Sequence, residues 1–157
     1  MNKLLKNLQA EYSHLQFAGG RQFSWSPETG EIIYKEGARG ERAEWSLLHE
    51  TGHALLGHIN YTGDFELLRL EVDAWEKARE LAKKFGIVID EDHIQDCLDT
   101  YRDWLYKRSI CPSCSTKALQ EDDCTRYRCF NCRTTWEVSA NRFARAYRRH
   151  ATPSPAT

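Results

Sequence analysis

Two histidines four residues apart, with a glutamate directly after the first, constrain this chain more than any other feature. The segment reads His49-Glu50-Thr51-Gly52-His53. Residues at this spacing share one face of an α-helix, so both imidazoles can reach a single ion. Zinc favours such ligands, and a catalytic zinc site keeps one open position for water. The segment therefore predicts a helix, over about residues 42–56, that carries part of a catalytic zinc site.

Glu50 follows the first histidine directly, which places it beside the ion rather than on it. There it can act as a general base that takes a proton from the zinc-bound water, whose pKa the metal lowers. The protonated Glu50 can then pass that proton to a leaving amine. The alternative is a chance match among ordinary helix residues, which is rare because histidine is uncommon. We therefore predict that Glu50 is the catalytic residue.

A third ligand is expected from the next predicted helix, over about residues 65–85. Glu71 lies on an apolar stripe of that helix, 18 residues after His53. The other members of the stripe are Leu67, Leu68, Ala74, Trp75, Ala78 and Ala82. An ionised carboxylate on such a stripe is costly unless it is paired or binds a metal. Glu71 is therefore predicted to complete a two-histidine, one-glutamate site, with a buried salt bridge as the alternative.

This constellation resembles the ImmA/IrrE-like metallopeptidase family. Members typically carry His-Glu-Leu-Gly-His with an apolar continuation, followed by a Glu-x-Glu-Ala type motif. The matching segments here are residues 48–58 and Glu71-Val72-Asp73-Ala74-Trp75. Thr51 replaces the usual leucine and Asp73 the usual second glutamate, so Asp73 is a candidate supporting residue near the metal. The resemblance covers roughly residues 20–85 and implies a gluzincin-type fold, in which a small sheet packs on the active-site helix.

The resemblance also implies an activity, because family members cut regulator proteins in phage, mobile-element and stress-response systems. In such folds an edge strand binds the extended substrate by strand addition. The resemblance implies residues 31–35 for that strand, with Ile32, Ile33 and Tyr34 as substrate-binding residues, and a plain structural hairpin is the alternative. The candidates for stabilising the oxyanion are Tyr34, His58 and Tyr61. His58 is expected to support the site rather than to bind the metal.

Four of the six cysteines form two Cys-x-x-Cys pairs in the C-terminal third of the chain. They are Cys111, Cys114, Cys129 and Cys132. Two such turns can close one tetrahedral zinc site of the ribbon kind. A module of this size cannot build a sufficient core, so structural zinc is expected to substitute for one. Cys124 is left as a spare thiol or competing ligand, and Cys97 is expected to be a buried core residue.

These features predict an α+β fold with three parts. The first sheet is expected to be small and antiparallel, and to pack on a helical zincin-like core. The predicted parts are a metallopeptidase domain over residues 1–108, a zinc ribbon over 109–139, and a basic helical segment with a disordered tail over 140–157. Further helices are predicted over about 2–15 and 91–107, and a β-hairpin is predicted from 23–25 and 32–34.

Charge is distributed unevenly along the chain. Residues 1–100 carry 11 Lys/Arg and 18 Asp/Glu, whereas residues 101–157 carry 11 and 5. This asymmetry favours an anionic partner for the C-terminal part, such as nucleic acid, an acidic protein or the chain's own acidic half. The residues that suit nucleic acid are Arg126, Arg128, Arg133, Arg142, Arg145, Arg148 and Arg149, with Tyr127, Phe130 and Trp136. The absence of a long apolar run or signal-like N-terminus predicts a cytoplasmic protein with no membrane contact.

Two other functional classes compete with a peptidase that cuts a regulatory or nucleic-acid-associated protein. The first is a non-catalytic adaptor, in which a zinc ribbon binds nucleic acid or protein and the peptidase scaffold is degenerate. Retention of Glu50 disfavours it, because a purely structural site does not need that carboxylate. The second is a protease similar to the SprT-like group, which acts on DNA-bound proteins and has a similar domain order. That group takes its third ligand from a later histidine, and this chain has none at the required place.

Overall fold

A computed structural model of the chain describes residues 1–138 and 149–150. Its α+β class agrees with the prediction. The helices within this described part are α1 (Asn2–Glu11), α2 (Glu41–Leu55), α3 (Asp64–Phe85) and α4 (Glu91–Ser109). The first sheet contains β1 (Gln16–Gly20), β2 (Ser24–Ser26) and β3 (Glu31–Lys35), and the second contains β4 (Leu119–Gln120), β5 (Arg126–Arg128), β6 (Thr135–Glu137) and β7 (Arg149–His150). Among the described helices, none combines the length and apolar character that crossing a bilayer would need.

The chain divides into two compact units that do not follow its sequence order. The first comprises Met1–Asn60 and Arg69–Asp96, and the second comprises Tyr61–Leu68 and Cys97–Thr157. Both α3 and α4 therefore contribute residues to each unit. The sequence-based boundaries at residues 108 and 139 remain a prediction. The predicted basic helical segment and tail lie outside the described residues, except for the two residues of β7.

The first sheet has the order β1-β3-β2 and is mixed rather than purely antiparallel. The predicted hairpin is confirmed, because β2 and β3 are antiparallel with Trp25 opposite Ile32. The prediction of a helix over residues 2–15 was too long: α1 ends at Glu11, and β1 then pairs in parallel with β3. A Cβ atom on Gly20 would lie 2.5 Å from the Ile33 side chain. A glycine at this position in β1 therefore lets the strand pack closely on β3.

The central position of β3 corrects the prediction for the substrate-binding strand. β1 pairs with all of Glu31–Lys35 on one side, and β2 pairs with residues 31–33 on the other. The backbone groups of Ile32 and Ile33 are therefore enclosed by two neighbouring strands, and the Ile32 side chain is fully buried. Tyr34 pairs with Gly19 of β1 and is half-buried. An extended substrate cannot add to residues 31–33, because that stretch is paired on both sides. The edge strands of the sheet are β1 and β2.

The second unit is built around a zinc-ribbon-like module with a small aromatic core. The buried residues of this core are Cys111, Ala118, Tyr127, Cys129 and Trp136. Tyr127 of β5 stacks on Trp136 of β6, with ring centroids 5.6 Å apart and an interplanar angle of 15°. Cys97 in α4, by contrast, is only half-buried, so the expectation that it lies in the core was wrong.

A buried ion pair in the second unit joins its helical residues to the ribbon. Asp64 and Arg108 are 4% and 1% exposed, and Asp64 accepts hydrogen bonds from Nε and Nη2 of Arg108 at 2.8 and 3.1 Å. Tyr127 Oη donates to the same carboxylate at 2.6 Å. The backbone N–H of Asp64 donates to Gln120 Oε1 at 2.8 Å, and the Trp136 indole donates to the Arg108 carbonyl at 2.9 Å. These hydrogen bonds satisfy both charged groups and offset the free-energy cost of removing them from water.

Candidate functional site

Two histidines of α2 and one glutamate of α3 converge in the first unit. The Nε2 atoms of His49 and His53 are 3.1 Å apart. The Glu71 carboxylate lies 3.2 Å from Nε2 of His49 and 3.7 Å from Nε2 of His53. Ligand atoms about 2.0–2.1 Å from a tetrahedral zinc ion are roughly 3.3 Å from one another. The three side chains therefore form a group that could hold one metal ion, as the sequence predicted.

The same three side chains fit a purely ionic arrangement less well. The Nε2 atoms of His49 and His53 lie 3.1 Å apart, and two cationic rings at that distance would repel each other. Nδ1 of His49 is buried and has no hydrogen-bond partner among the described residues. A charged imidazolium there would bury a cationic donor without an acceptor, which costs more than burying a neutral ring. Neutral imidazoles that present Nε2 to a metal avoid the repulsion, and the unpaired Nδ1–H of His49 is then a neutral rather than a cationic donor.

Glu71 is held in its ionised form despite its burial. The residue is 8% exposed, and burial alone would raise its pKa. Hydrogen bonds from His49 and His53, together with the positive charge that either ring carries when protonated, outweigh that effect and lower the pKa of Glu71 well below its usual value. The carboxylate is therefore a charged ligand at neutral pH.

The close approach of α2 and α3 depends on Gly52, which stands inside the motif. A Cβ atom at this position would lie 2.6 Å from the Ala74 carbonyl oxygen and 3.4 Å from the Lys77 Cβ atom. Backbone atoms cannot move aside as a flexible side chain can. The glycine between the two histidines thus lets the helix that carries Glu71 pack directly against α2.

We expect Gly52→Ala to destabilise the protein, although the same change in a helix interior normally stabilises by about 1 kcal/mol. The added methyl group would overlap the Ala74 carbonyl, and such overpacking costs about 1–3 kcal/mol. Displacing α3 would also move Glu71 and lower metal occupancy at the histidine site. Thermal denaturation and metal analysis test this. Ser46→Ala in the same helix should stay within about 0.5 kcal/mol of wild type, and an unchanged or higher Tm for Gly52→Ala would contradict the prediction.

Glu50 lies beside the histidines with one carboxylate oxygen fixed. Its Oε2 accepts a hydrogen bond from the backbone N–H of Trp25 in β2 at 2.7 Å. Desolvation raises the pKa of Glu50, and the neighbouring His49 and His53 oppose that rise. A carboxylate with a raised pKa takes up a proton more readily, which is the property a general base needs near neutral pH.

His58 lies against the second histidine rather than joining the ligand group. Its Nδ1 is 2.9 Å from Nδ1 of His53, and its backbone N–H donates to the His53 carbonyl at 3.0 Å. Burial lowers the pKa of His58, while the charge of Asp73 acts in the opposite direction. Asp73 is therefore close enough for its charge to act on the pKa of His58. Tyr61 belongs to the second unit, and its suggested part in oxyanion stabilisation remains a prediction.

Two tryptophans contact the site in ways that sequence reasoning did not identify. Trp75 was expected only as a core residue, but its ring packs on His49 with centroids 4.3 Å apart and an interplanar angle of 32°. Its position four residues after Glu71 places both on one helix face, and that spacing could have revealed the contact. Trp25 contacts Glu50 through its main chain, for which side-chain patterns give no signal.

The four cysteines form a second group of converging ligand atoms. Their Sγ atoms all lie within 4.8 Å of one another, with 3.5 Å for both the Cys111–Cys132 and the Cys114–Cys129 pair. Sulfur ligands about 2.3 Å from a tetrahedral zinc ion are roughly 3.8 Å apart. Cys124 does not belong to this group.

The two Cys-x-x-Cys turns have matching backbone conformations. Ser115 and Arg133, which follow the second cysteine of each pair, have φ of 59° and 62°. Each donates its N–H to the carbonyl of the first cysteine of its pair, at 3.0 and 2.9 Å. Two equivalent turns that face each other present four thiols to one point, as a zinc-ribbon-like module requires.

The described part of the ribbon has no net positive charge, so it does not by itself favour the predicted anionic partner. Residues 109–138 carry four Lys/Arg and four Asp/Glu, giving a net charge of 4 − 4 = 0. Arg126 forms ion pairs with Asp123 at 2.6 Å and with Glu121 at 3.6 Å. Phe130 is 76% exposed and would suit base stacking. Nucleic-acid binding remains a prediction that depends on the arginines after residue 139, of which Arg142, Arg145 and Arg148 lie outside the described residues.

The structure brings together five of the residues predicted for the catalytic site. They are His49, Glu50, His53, His58 and Glu71. It also brings the four ribbon cysteines together, while Ile32 and Ile33 lie on a strand that is closed to substrate. Comparisons of the chain with protein-family models, with curated proteins and with solved structures found no match.

Proposed function

We propose that this protein is a zinc-dependent metalloendopeptidase of the kind that the ImmA/IrrE-like resemblance implies. His49, His53 and Glu71 would hold the catalytic zinc, and the four ribbon cysteines would hold a structural one. The observation that carries the proposal is the convergence of two Nε2 atoms and one carboxylate within 3.1–3.7 Å of each other. A structural zinc site would not need the further carboxylate of Glu50 directly beside these ligands.

Each residue of the site would have a separate chemical role. Zinc, when bound, supplies Lewis acidity that polarises a carbonyl and lowers the pKa of water. Glu50, with Oε2 held by the Trp25 N–H, would use Oε1 to accept the proton of the attacking water. It would then donate that proton to the nitrogen of the departing amine. Glu71 would contribute a negative charge to the ligand set, and His49 and His53 would contribute neutral nitrogen donors.

The position of β2 supports it as the substrate-binding strand in place of β3. β2 is an edge strand, and the Trp25 N–H reaches Glu50 rather than β3. The open side of β2 therefore lies at the general base. A peptide bound along this edge would pass next to Glu50 with little dependence on its sequence. It would have to pair with main-chain groups other than the Trp25 N–H, which already donates to Glu50. We propose a regulatory or nucleic-acid-associated protein as the substrate, since family members of this type cut regulators.

Metal analysis tests the two-site proposal directly. The purified protein should contain two zinc ions per chain, and His49→Ala should retain only the ribbon zinc because the histidine site loses one of three ligands. His14→Ala is the matched control, because His14 is an exposed histidine of the same unit. It should retain both ions. A wild-type protein with one zinc, or a His49→Ala variant with two, would refute the catalytic site.

A further inference from the structure

Trp25 makes two directed hydrogen bonds to residues around the proposed catalytic zinc. Its backbone N–H donates to Oε2 of Glu50 at 2.7 Å, and its indole Nε1–H donates to the carbonyl of His58 at 2.6 Å. Both distances are at or just below the short end of the range for N–H···O bonds. The first is also assisted by the charge of an ionised carboxylate. One residue of β2 thus contacts both the middle of α2 and the segment that follows it.

His58 transmits the second contact to a metal ligand. The backbone of His58 is held on both sides. Its N–H donates to the His53 carbonyl at 3.0 Å, and its carbonyl accepts from the Trp25 indole. Its ring presents Nδ1 to Nδ1 of His53 at 2.9 Å. A histidine that binds metal through Nε2 carries its proton on Nδ1, so His53 would donate and His58 accept. Such an outer contact fixes both the tautomer and the orientation of the ligand.

We propose that Trp25 is a positioning residue for the metal site, acting on Glu50 through its main chain and on His53 through the backbone and ring of His58. The inference rests on the proposed function, because it requires a metal ion at His53. In this arrangement, β2 holds the general base Glu50 and the ligand His53 in fixed positions relative to each other. Loss of the indole N–H would leave the His58 carbonyl unpaired and the His53 ring less constrained.

Trp45 offers a matched control within the same unit. Its indole Nε1–H also donates to a distant backbone carbonyl, that of Val88, at 3.0 Å. Trp45 lies on α2 and is 6% exposed. A phenylalanine at either position removes one indole-to-carbonyl hydrogen bond and keeps an aromatic ring. The two variants therefore lose the same kind of hydrogen bond, and only Trp25→Phe should change the metal site.

The decisive measurement is zinc affinity at the histidine site, by competition with a chromophoric chelator. The titration step for that site is identified by its absence in His49→Ala. We expect Trp25→Phe to weaken zinc binding there by about 10-fold or more, as loss of an outer contact typically does. Trp45→Phe should bind zinc as wild type does. Equal affinities in the two variants would overturn the inference and leave the proposed function standing.

A double-variant cycle separates positioning from general loosening. Trp25 and His58 act on the same ring, so Trp25→Phe combined with His58→Phe should lose less affinity than the product of the single losses. Trp45→Phe combined with His58→Phe should give the simple product. Multiplicative losses in both pairs would overturn the inference. If wild type binds only the ribbon zinc, the proposed function and this inference both fail.

If Trp25→Phe does not fold, nitrogen NMR of the wild-type imidazoles decides the question. In the zinc-bound protein, Nδ1 of His53 should carry a proton and Nδ1 of His58 should not. A proton on both Nδ1 atoms would abolish the hydrogen bond between His58 and His53 and overturn the inference.

Discussion

Replacing Glu50 with glutamine is expected to abolish peptide cleavage while both zinc ions remain bound. Glutamine has nearly the same shape, and its amide oxygen can still accept the Trp25 N–H that holds Oε2 at 2.7 Å. It cannot take a proton from water or return one to a leaving amine. Loss of a general acid–base group lowers rates by about 100- to 10,000-fold. Cleavage of a candidate regulator, preferably one encoded beside this protein, would be followed by gel electrophoresis together with zinc content.

The control for this change is Glu41→Gln, which removes an exposed carboxylate from the first turn of the same helix. It should cleave at the wild-type rate. A Glu50→Gln variant that keeps full biological activity would favour the adaptor interpretation, in which the site has no catalytic task. Loss of one zinc ion in Glu50→Gln would instead show that the carboxylate supports metal binding.

Removing zinc from the ribbon is expected to unfold that module. Within the described residues its buried core has five members, two of which are the candidate ligands Cys111 and Cys129. Binding free energies for structural zinc in small modules are about 10–16 kcal/mol, and the folded state depends on them. We expect Cys129→Ser to lose the ribbon zinc and the stacked packing of Tyr127 on Trp136. Near-ultraviolet circular dichroism and zinc content would report both losses.

Cys124→Ser is the control for the ribbon, since Cys124 lies outside the ligand group. It should keep two zinc ions and a wild-type aromatic signal. Native-like aromatic packing in a zinc-free Cys129→Ser protein would show that the module holds its fold without metal, contrary to this prediction.

Local patterns in the sequence predicted most of the helices and both ligand groups. The spacing of His49 and His53 encodes a shared helix face, and the apolar stripe around Glu71 indicates a carboxylate that needs a partner. Both signals depend only on neighbours within a few turns. The cysteine pairs are similar, because each short turn has an almost fixed geometry. This local information is enough to predict which residues could form each ligand group.

Contacts between distant segments could not be predicted in the same way. The strand nature of Gln16–Gly20 depends on pairing with residues 31–35, and the central position of β3 follows from that pairing. The contact of Trp25 with Glu50 depends on a backbone N–H, which every residue except proline possesses. The partners of Asp64 lie 44 and 63 residues away, beyond the reach of any periodic pattern.

The buried carboxylate of Asp64 limits how the ribbon could be removed or exchanged during evolution. A chain shortened to its first 108 residues would keep Asp64 and Arg108 but lose Tyr127, Gln120 and Trp136, on which their burial depends. Two opposite charges would then face solvent where an aromatic core had covered them, and the first turn of α3 would lose the acceptor of its leading amide. The ribbon is therefore not an interchangeable attachment, and a gene fusion that swapped it for another module would have to rebuild this junction.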